Sequence, residues 1–318
     1  MNLIFVGLSE QKSLKREDII LSIKKNMFLK KFKKKIIVLY KDIIGKPLSA
    51  WRKKDFSRSY NEIATLDIEL TGKCNLNCKG CSHFSPIATD EMIQINEFKS
   101  DLKQLAKVIG DKIRRINLLG GEPLLHDQLE EFMKVSRKYF PKTEICIVSN
   151  GILLLEQKDS FWIAARKYKI GIEVTRYPIK LDFKKMKKNA KKNGVAFKFY
   201  GRSRYIQKTQ YFLPFDFKGE QNEKESFAGC LMARRCITLC HGKLFPCSYA
   251  AYVDRFNTYF DKKIPLTEND YADIYQENAE SIMKKISRPI PMCRYCNVKA
   301  RTYGNRWEVS KKDITEWC

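Results

Sequence analysis

Three closely spaced cysteines are the residues of this 318-residue chain best suited to metal chemistry. Cys74, Cys78 and Cys81 lie on one short segment, separated by three and then two residues. Three thiolates on one loop can bind three irons of a [4Fe–4S] cube and leave the fourth iron without a protein ligand. The spacing therefore predicts a cluster with one open iron, beside which a second molecule can react.

Two further motifs end strand-like runs downstream of the cysteines. The apolar run 116–119 ends in Gly120, Gly121, Glu122 and Pro123. The run 144–148 ends in Ser149, Asn150 and Gly151. Adjacent glycines let the backbone approach a ligand closely. Because a strand-like stretch at 64–70 also leads into the cysteines, we expect all three motifs at the carboxyl ends of parallel strands, where such folds place their active groups.

The cysteine spacing, together with Gly-Gly-Glu-Pro about forty residues later, resembles the radical S-adenosylmethionine (radical SAM) superfamily. The resemblance implies a [4Fe–4S] cluster with an open iron site, S-adenosylmethionine as its partner, and Cys74, Cys78 and Cys81 as catalytic cluster ligands. It also implies reductive cleavage of S-adenosylmethionine to a 5′-deoxyadenosyl radical, with electrons from a flavodoxin- or ferredoxin-type donor. The implied residues that bind S-adenosylmethionine are Gly120, Gly121, Glu122, Pro123, Ser149, Asn150, Glu173 and Phe84.

Phe84 enters that set because of a departure from the family pattern. The superfamily usually has an aromatic residue just before the third cysteine, where it touches the adenine, but this chain has Gly80 there. We therefore expect Phe84, or His83 beside it, to make the adenine contact instead.

The C-terminal hundred residues hold seven of the eleven cysteines. Their order resembles the twitch domain of some radical SAM enzymes, which holds one auxiliary [4Fe–4S] cluster; the longer SPASM version holds two. The resemblance implies Cys236, Cys247, Cys293 and Cys296 as ligands, with Cys230 and Cys240 as alternatives. Four thiolates at this spacing also suit a structural zinc ion, so zinc stays open as an alternative.

The rest of the chain predicts an α/β fold in three parts. Residues 1–60 form a basic extension with helical periodicity, residues 61–215 alternate strand-like and helix-like runs, and residues 216–318 show no such alternation. Strands alternating with helices of this length favour parallel βαβ units. The stretch is too short for a full eight-fold barrel of ~250 residues and suits the partial (β/α)6 TIM-type barrel of the resembled superfamily.

Charge and hydropathy limit the partners. The net charge is +25, and residues 11–60 hold sixteen Lys and Arg against four Asp and Glu. A basic helix in this segment can contact an anionic membrane surface, although a run of charged residues more often forms the solvent-exposed face of a helix. No nucleic-acid-binding signature is present, so nucleic acid is not expected as a partner. Without a signal peptide or a run of roughly 20 apolar residues, we expect a cytoplasmic protein.

The sequence leaves the substrate open. The first hypothesis is an oxidoreductase or mutase that abstracts hydrogen from a sugar-like or aminosugar-like substrate, as a step of bacterial polysaccharide or natural-product synthesis, with the auxiliary cluster taking up an electron. The second is a maturase that modifies a ribosomal peptide. The third is a non-catalytic iron–sulfur protein used for binding or redox sensing, against which the intact open-iron motif argues.

Overall fold

Parallel strands and helices alternate through the first half of the described chain. The computed structural model describes residues 62–200, 209–233 and 236–318, without the side chains of 209–211. The alternation runs β1 (Leu66–Glu69), α1 (Ile95–Val108), β2 (Arg115–Leu119), α2 (Leu129–Tyr139), β3 (Glu144–Ser149), α3 (Asp159–Lys167), β4 (Gly171–Val174), α4 (Phe183–Lys192) and β5 (Phe197–Phe199). The basic extension predicted for residues 1–60, with its membrane contact, lies outside the described residues.

The second half is less regular. It comprises β6 (Thr209–Phe212), α5 (Glu223–Gly229), β7 (Ile237–Cys240), β8 (Lys243–Phe245), α6 (Ser248–Phe260), β9 (Ala272–Asp273), α7 (Ala279–Ile286) and β10 (Thr302–Arg306). Strands β6 and β10 pair with each other in an antiparallel ribbon apart from the main sheet.

One sheet of eight strands, in the order β5-β4-β3-β2-β1-β7-β8-β9, organises the molecule. Strands β1 to β5 and β7 are parallel, whereas β8 and β9 add to the edge in antiparallel fashion. This mostly parallel arrangement confirms the predicted α/β class and is consistent with a partial TIM-type barrel. The domain boundaries stay a prediction, and strands from residues 237–273 continue the same sheet.

The two faces of the sheet differ in chemistry, because side chains alternate between them. On β1, Leu66 and Ile68 lie in the main hydrophobic core under the helices. Asp67 and Glu69, the residues between and after them, project from the opposite, inner face and are nevertheless buried. Buried carboxylates need partners, so the inner face must carry a polar network.

A second hydrophobic core forms on the inner side around aromatic residues. Phe84 is fully buried, and its ring lies 5.5 Å from Tyr249, 5.6 Å from Phe256 and 5.9 Å from Trp317, between ring centroids. The aromatic ring of Phe215 closes the group at 6.0 Å from Phe84. This core joins the segment after Cys81 to α6 and to the C-terminal turn.

None of the helices in the described ranges combines the length and apolar character needed to cross a bilayer.

Candidate active site and auxiliary cysteine group

The segment that carries the first three cysteines, residues 71–81, is called the cysteine loop below. It follows β1 and is fixed by the turn after β2: Gly121 N donates to Thr71 O at 2.7 Å, and Glu122 N donates to Lys73 O at 2.8 Å. A Cβ atom on Gly121 would lie 2.2 Å from Lys73 O, so a larger residue cannot fit. The glycines of the motif thus allow backbone to approach backbone, which sets the position of the cysteines.

The three thiols lie close enough to interact. Cys74 and Cys81 interact electrostatically. The Tyr177 hydroxyl donates a hydrogen bond to Cys78 and also interacts electrostatically with Cys74 and Cys81. Burial raises the pKa of the Cys74 thiol to about 12, although the backbone N–H groups of Leu76 and Asn77 partly oppose this. Such a thiol is protonated at neutral pH until a metal displaces its proton.

Glu122 joins the turns after β2 and β3. It is fully buried and accepts from Ser149 Oγ at 2.7 Å, from Asn150 N at 2.8 Å and from Leu124 N at 3.2 Å. Burial raises the pKa of this carboxyl to about 7, and the three hydrogen bonds lower it only in part. Pro123 follows as the buried first residue of a short 3-10 turn.

Asn150 links the turn after β3 to the cysteine loop. Its Nδ2 donates to Asn75 Oδ1 at 2.7 Å, and its Oδ1 accepts from Ile152 N at 2.9 Å. Asn75 lies between Cys74 and Cys78. The structure therefore brings Gly120, Gly121, Glu122, Pro123, Ser149 and Asn150 together around the three cysteines.

The C-terminal segment covers the other side of the cysteine loop. Lys79 N donates to Glu308 O at 3.0 Å, and Ser310 N donates to Asn77 O at 2.8 Å. The Trp317 indole N–H donates to Cys81 O at 3.0 Å. Trp307 packs edge-on against Tyr177, with 5.7 Å between ring centroids. The cysteine loop is thus held between the turns after β2 and β3 on one side and the C-terminal segment on the other.

Glu173 and Phe84, also expected at the S-adenosylmethionine site, contact other side chains of the protein. Glu173 accepts from Arg115 Nη2 at 2.9 Å and pairs with Lys198 at 3.4 Å, on neighbouring strands. The ring of Phe84 is fully buried among aromatic side chains of the second core, and its adenine contact stays a prediction. The alternative, His83, is partly buried and pairs with Glu69.

Four C-terminal cysteines come together in a second place. Cys230, Cys247, Cys293 and Cys296, called the four-cysteine group below, line one small cavity that is partly open to solvent. Its other walls are mostly apolar, including Phe227 and Met292. Burial raises the pKa of Cys247 to about 12 and that of Cys293 and Cys296 beyond the ordinary range, with neighbouring thiols adding to the effect.

Cys230 occupies the place that the sequence assigned to Cys236. Cys236 instead donates a hydrogen bond to Asp67 on β1, while Cys240 is buried near Glu69 and Arg255. Cys236 directly precedes β7, where its thiol reaches Asp67, whereas Cys230 directly follows α5 and lies near Cys247. Of the predicted auxiliary ligands, the structure therefore groups Cys247, Cys293 and Cys296, and adds Cys230.

Sequence reasoning missed several residues of the site. Asn75 and Trp307 carry no strong signal alone, but Asp67 and Glu69 do, since acidic residues alternate with apolar ones in the strand Leu66–Glu69. In a strand buried on both faces, that alternation indicates a polar interior.

Both cysteine sets fit iron–sulfur clusters in donor chemistry. Clustered thiols are the ligand type that such clusters use, and the backbone contact at Gly121 leaves no room for a side chain beside the cysteine loop. Within residues 62–200, 209–233 and 236–318, no three Cys, His, Asp or Glu side chains are arranged to bind a single metal ion.

Comparison with known proteins gives the following matches. Residues 68–183 match the family model of the Radical SAM superfamily. A GTP 3′,8-cyclase of Clostridium perfringens is 36% identical over 96 residues, covering 29% of each chain, and that of Aquifex aeolicus is 31% identical over 99 residues, covering 30% of each. The chain thus aligns with less than a third of the length of these curated relatives.

Among solved structures, BtrN in complex with AdoMet and 2-DOIA gives a TM-score of 0.47 at 18% identity, covering 74% of this chain and 93% of BtrN. Streptococcus suis SuiB bound to the precursor peptide SuiA gives 0.35 at 10% identity, covering 77% and 70%. The family match includes the end of β1, the cysteine loop, the Gly-Gly-Glu-Pro turn and the Ser-Asn-Gly turn, whose contacts form the site. Residues 68–183 of the chain thus form a region that matches the Radical SAM superfamily.

Proposed function

We propose that this protein is a radical SAM enzyme whose Cys74, Cys78 and Cys81 hold three irons of a [4Fe–4S] cluster. The observation that carries the proposal is the convergence of these thiols under the turns after β2 and β3, held by Gly121, Glu122 and Asn150. When bound, the reduced cluster and S-adenosylmethionine supply a 5′-deoxyadenosyl radical that abstracts hydrogen from the substrate.

The chain's own residues position and shield this chemistry. Glu122, with every hydrogen bond directed to the protein, fixes two turns against each other and is a positioning residue. The Tyr177 hydroxyl donates toward the cluster ligand Cys78, and the Trp307 ring packs against Tyr177. Together these two aromatic side chains exclude water from one side of the cysteine loop. The electron would come from a flavodoxin- or ferredoxin-type donor.

We further propose that the four-cysteine group holds an auxiliary [4Fe–4S] cluster, as in a twitch-like domain. Four thiols around one cavity with apolar walls support this ligand set, with Cys230 in place of Cys236. A cluster there can accept an electron from the substrate side, which would make the reaction a net oxidation.

For the substrate we propose a small, sugar-like molecule, as would serve polysaccharide or natural-product synthesis. The curated relatives act on GTP, a small molecule built on a ribose, which supports this class over a peptide. The buried inner face of the sheet, with Asp67 and Glu69 on β1 and Thr238 on β7, also suits a ligand rich in hydroxyl groups.

The test is iron and acid-labile sulfide per chain after anaerobic reconstitution, together with 5′-deoxyadenosine formed under a chemical reductant. Wild type should hold about eight irons, and the triple variant Cys74→Ala, Cys78→Ala, Cys81→Ala about four, at four per cluster. Cys146→Ala, which removes a buried thiol on β3, is the matched control and should hold as much iron as wild type. Failure of wild type to form 5′-deoxyadenosine would contradict the proposal.

A further inference from the structure

A polar layer lies between the inner face of β1 and β7 and the helix α6. In the parallel pairing, Asp67 lies opposite Thr238, so both side chains project from the same face. Leu66 and Ile68 on β1 and their partners on β7 fill the core on the other face. Asp67, Glu69 and Thr238 are therefore neighbours beneath α6, close to the cysteine loop.

The charged groups of this layer already have partners. Glu69 accepts from Arg255 Nη2 at 2.6 Å and faces His83 Nδ1 at 2.9 Å. Asp67 accepts from Asn117 Nδ2 at 2.7 Å and from the Cys236 thiol. The charges thus hold one another in place without needing a ligand.

Two hydroxyls of the same layer are different. Tyr252 Oη and Thr238 Oγ1 are buried, in residues that are 5% and 1% exposed, and have no hydrogen-bond partner among the described residues. The Tyr252 hydroxyl lies near Glu69, Cys240 and Asp67, and its ring is tilted against that of His83 with 5.2 Å between centroids. Burial raises the pKa of Tyr252 well above its usual value, so the hydroxyl stays a donor.

An unpaired buried hydroxyl costs folding free energy, because it loses its hydrogen bonds to water and gains none in exchange. The Thr238 and Tyr252 hydroxyls come from separate elements, β7 and α6, and both lie beside the polar layer of Asp67 and Glu69. The backbone of α6 also departs from helical geometry at Tyr252, so a regular helix does not account for the position of this side chain. Both hydroxyls become satisfied if a hydroxyl-bearing ligand enters this layer.

We propose that the hydroxyls of Tyr252 and Thr238 form a substrate subsite that binds a hydroxyl group of an uncharged or amino-bearing polyol. This deepens the proposed function and rests on it for the place of the reaction. A sugar hydroxyl can accept from Tyr252 and donate to Thr238 or to a carboxylate oxygen. A phosphate is disfavoured, because Asp67 and Glu69 lie within the same layer. His83, two residues beyond Cys81, places the subsite beside the cysteine loop.

The first arm of the test needs no substrate. Tyr252→Phe and Thr238→Val remove the two hydroxyls with little change of shape, and Tm is measured on the cluster-loaded protein. Thr143→Val is the matched control: it is similarly buried, but its Oγ1 donates to Ile113 O at 3.1 Å. We expect the control to lower Tm and the two subsite variants to leave Tm unchanged or raise it. A fall in Tm for both subsite variants, equal to that of the control, would mean that the hydroxyls serve the fold and would overturn the proposal.

The second arm uses D-glucosamine as the probe and D-glucosamine 6-phosphate as the charged comparison, titrated by calorimetry into the protein with S-adenosylmethionine and no reductant. We expect glucosamine to bind wild type, to bind either variant at least tenfold more weakly, and to bind better than its phosphate. Absence of glucosamine binding to wild type, or equal binding to variants and wild type, overturns the subsite.

The two proposals fail separately. If wild type forms no 5′-deoxyadenosine under reductant, the proposed function fails, whereas Tm and glucosamine binding still report on the subsite. If 5′-deoxyadenosine forms but the subsite arms give the contrary results, only the subsite is lost.

Discussion

The cysteine loop and the four-cysteine group use the same side chain in opposite settings. The loop takes three thiols from eleven consecutive residues and surrounds them with backbone donors, a buried carboxyl and polar side chains. The four-cysteine group gathers its thiols from three separated segments and surrounds them with apolar walls. The cysteine loop thus supplies one thiol fewer than a cubane cluster has irons and has polar surroundings, whereas the four-cysteine group supplies all four thiols and has apolar surroundings.

This difference shows how a chain can separate reaction from electron storage. A site that lacks one protein ligand and has polar groups around it can admit a charged cofactor. A site with four thiols has no ligand position left for substrate, and its apolar walls favour the less charged states of a cluster. The aromatic second core, with Phe84 and Tyr249 in contact, lies between the two sites.

The largest effect should come from replacing, one at a time, the two cysteines that are candidates for the same ligand position in the four-cysteine group, Cys230 and Cys236. Cys230→Ser should remove about four of about eight irons per chain, because Cys230 lines the cavity, whereas Cys236→Ser should retain all of them, because its thiol bonds Asp67. Iron and sulfide analysis after anaerobic reconstitution measures both. If instead Cys236→Ser loses iron and Cys230→Ser retains all of it, Cys236 is a cluster ligand and the proposed ligand set is wrong.

The next largest effect should follow from adding one methyl group at Gly121. In Gly121→Ala the new Cβ would meet Lys73 O, so the turn must move away from the cysteine loop. We expect a loss of about 3 kcal/mol in the free energy of unfolding, and loss of the loop's iron but not that of the four-cysteine group. Gly304→Ala is the control: it has no atom within 4 Å of its new Cβ and a positive φ, and should cost about 1 kcal/mol with all iron retained. Equal costs for both variants would contradict this.

A smaller effect should appear in the pH dependence of stability. Since burial raises the pKa of Glu122 to about 7 in the folded state, the native protein binds more protons than the unfolded chain between pH 4.5 and 7. Stability therefore falls as pH rises through that window, by about 2 kcal/mol between pH 5 and pH 7 from this group. Urea unfolding of the cluster-free protein should show this slope.

Glu122→Gln cannot titrate and should flatten that part of the curve, although its amide faces the Asn150 N–H and lowers stability at every pH. Glu131→Gln, on the exposed side of α2, should keep the slope of wild type. If Glu122→Gln keeps the slope as well, another group titrates in this range.

The smallest effect should be on the potential of the loop's cluster. Hydrogen bonds to cluster sulfurs raise reduction potentials, so Tyr177→Phe, which removes the donor to Cys78, should shift the potential to more negative values. A redox titration followed by EPR measures the shift. Tyr249→Phe, next to the four-cysteine group, should leave the loop's cluster unchanged. An unchanged potential in Tyr177→Phe would remove the hydroxyl from the cluster's surroundings.

Local sequence patterns predicted the helices and strands well, because the periodicity of each depends only on residues that are close together in the sequence. The strand-like runs at 116–119 and 144–148 lie within β2 (Arg115–Leu119) and β3 (Glu144–Ser149). The expected alternation with helices is observed as far as α4, where Asp182 is the N-cap and accepts from Lys185 N. The turns after β2 and β3 were also placed at one edge, as the carboxyl-end rule predicts.

Contacts between distant segments were not predictable in the same way. Phe84 looked available for the adenine because it follows the cysteines, but Tyr249, Phe256 and Trp317 bury it. The choice of Cys230 over Cys236 depends on how the chain turns into β7, and spacing alone allows both. The Tyr252 and Thr238 hydroxyls carry no sequence signal, because their lack of partners exists only in three dimensions.

The pairing of the cysteine loop with the C-terminal segment has a consequence for biogenesis. Lys79 and Glu308 are 229 positions apart, and Trp317 reaches Cys81 from farther still. Contacts of such sequence separation form late and slow the folding of a domain. During synthesis the loop therefore emerges long before the segment that covers it, and its thiols stay accessible to whatever delivers iron and sulfide. The segment that carries Glu308, Ser310 and Trp317 closes over the loop only afterwards.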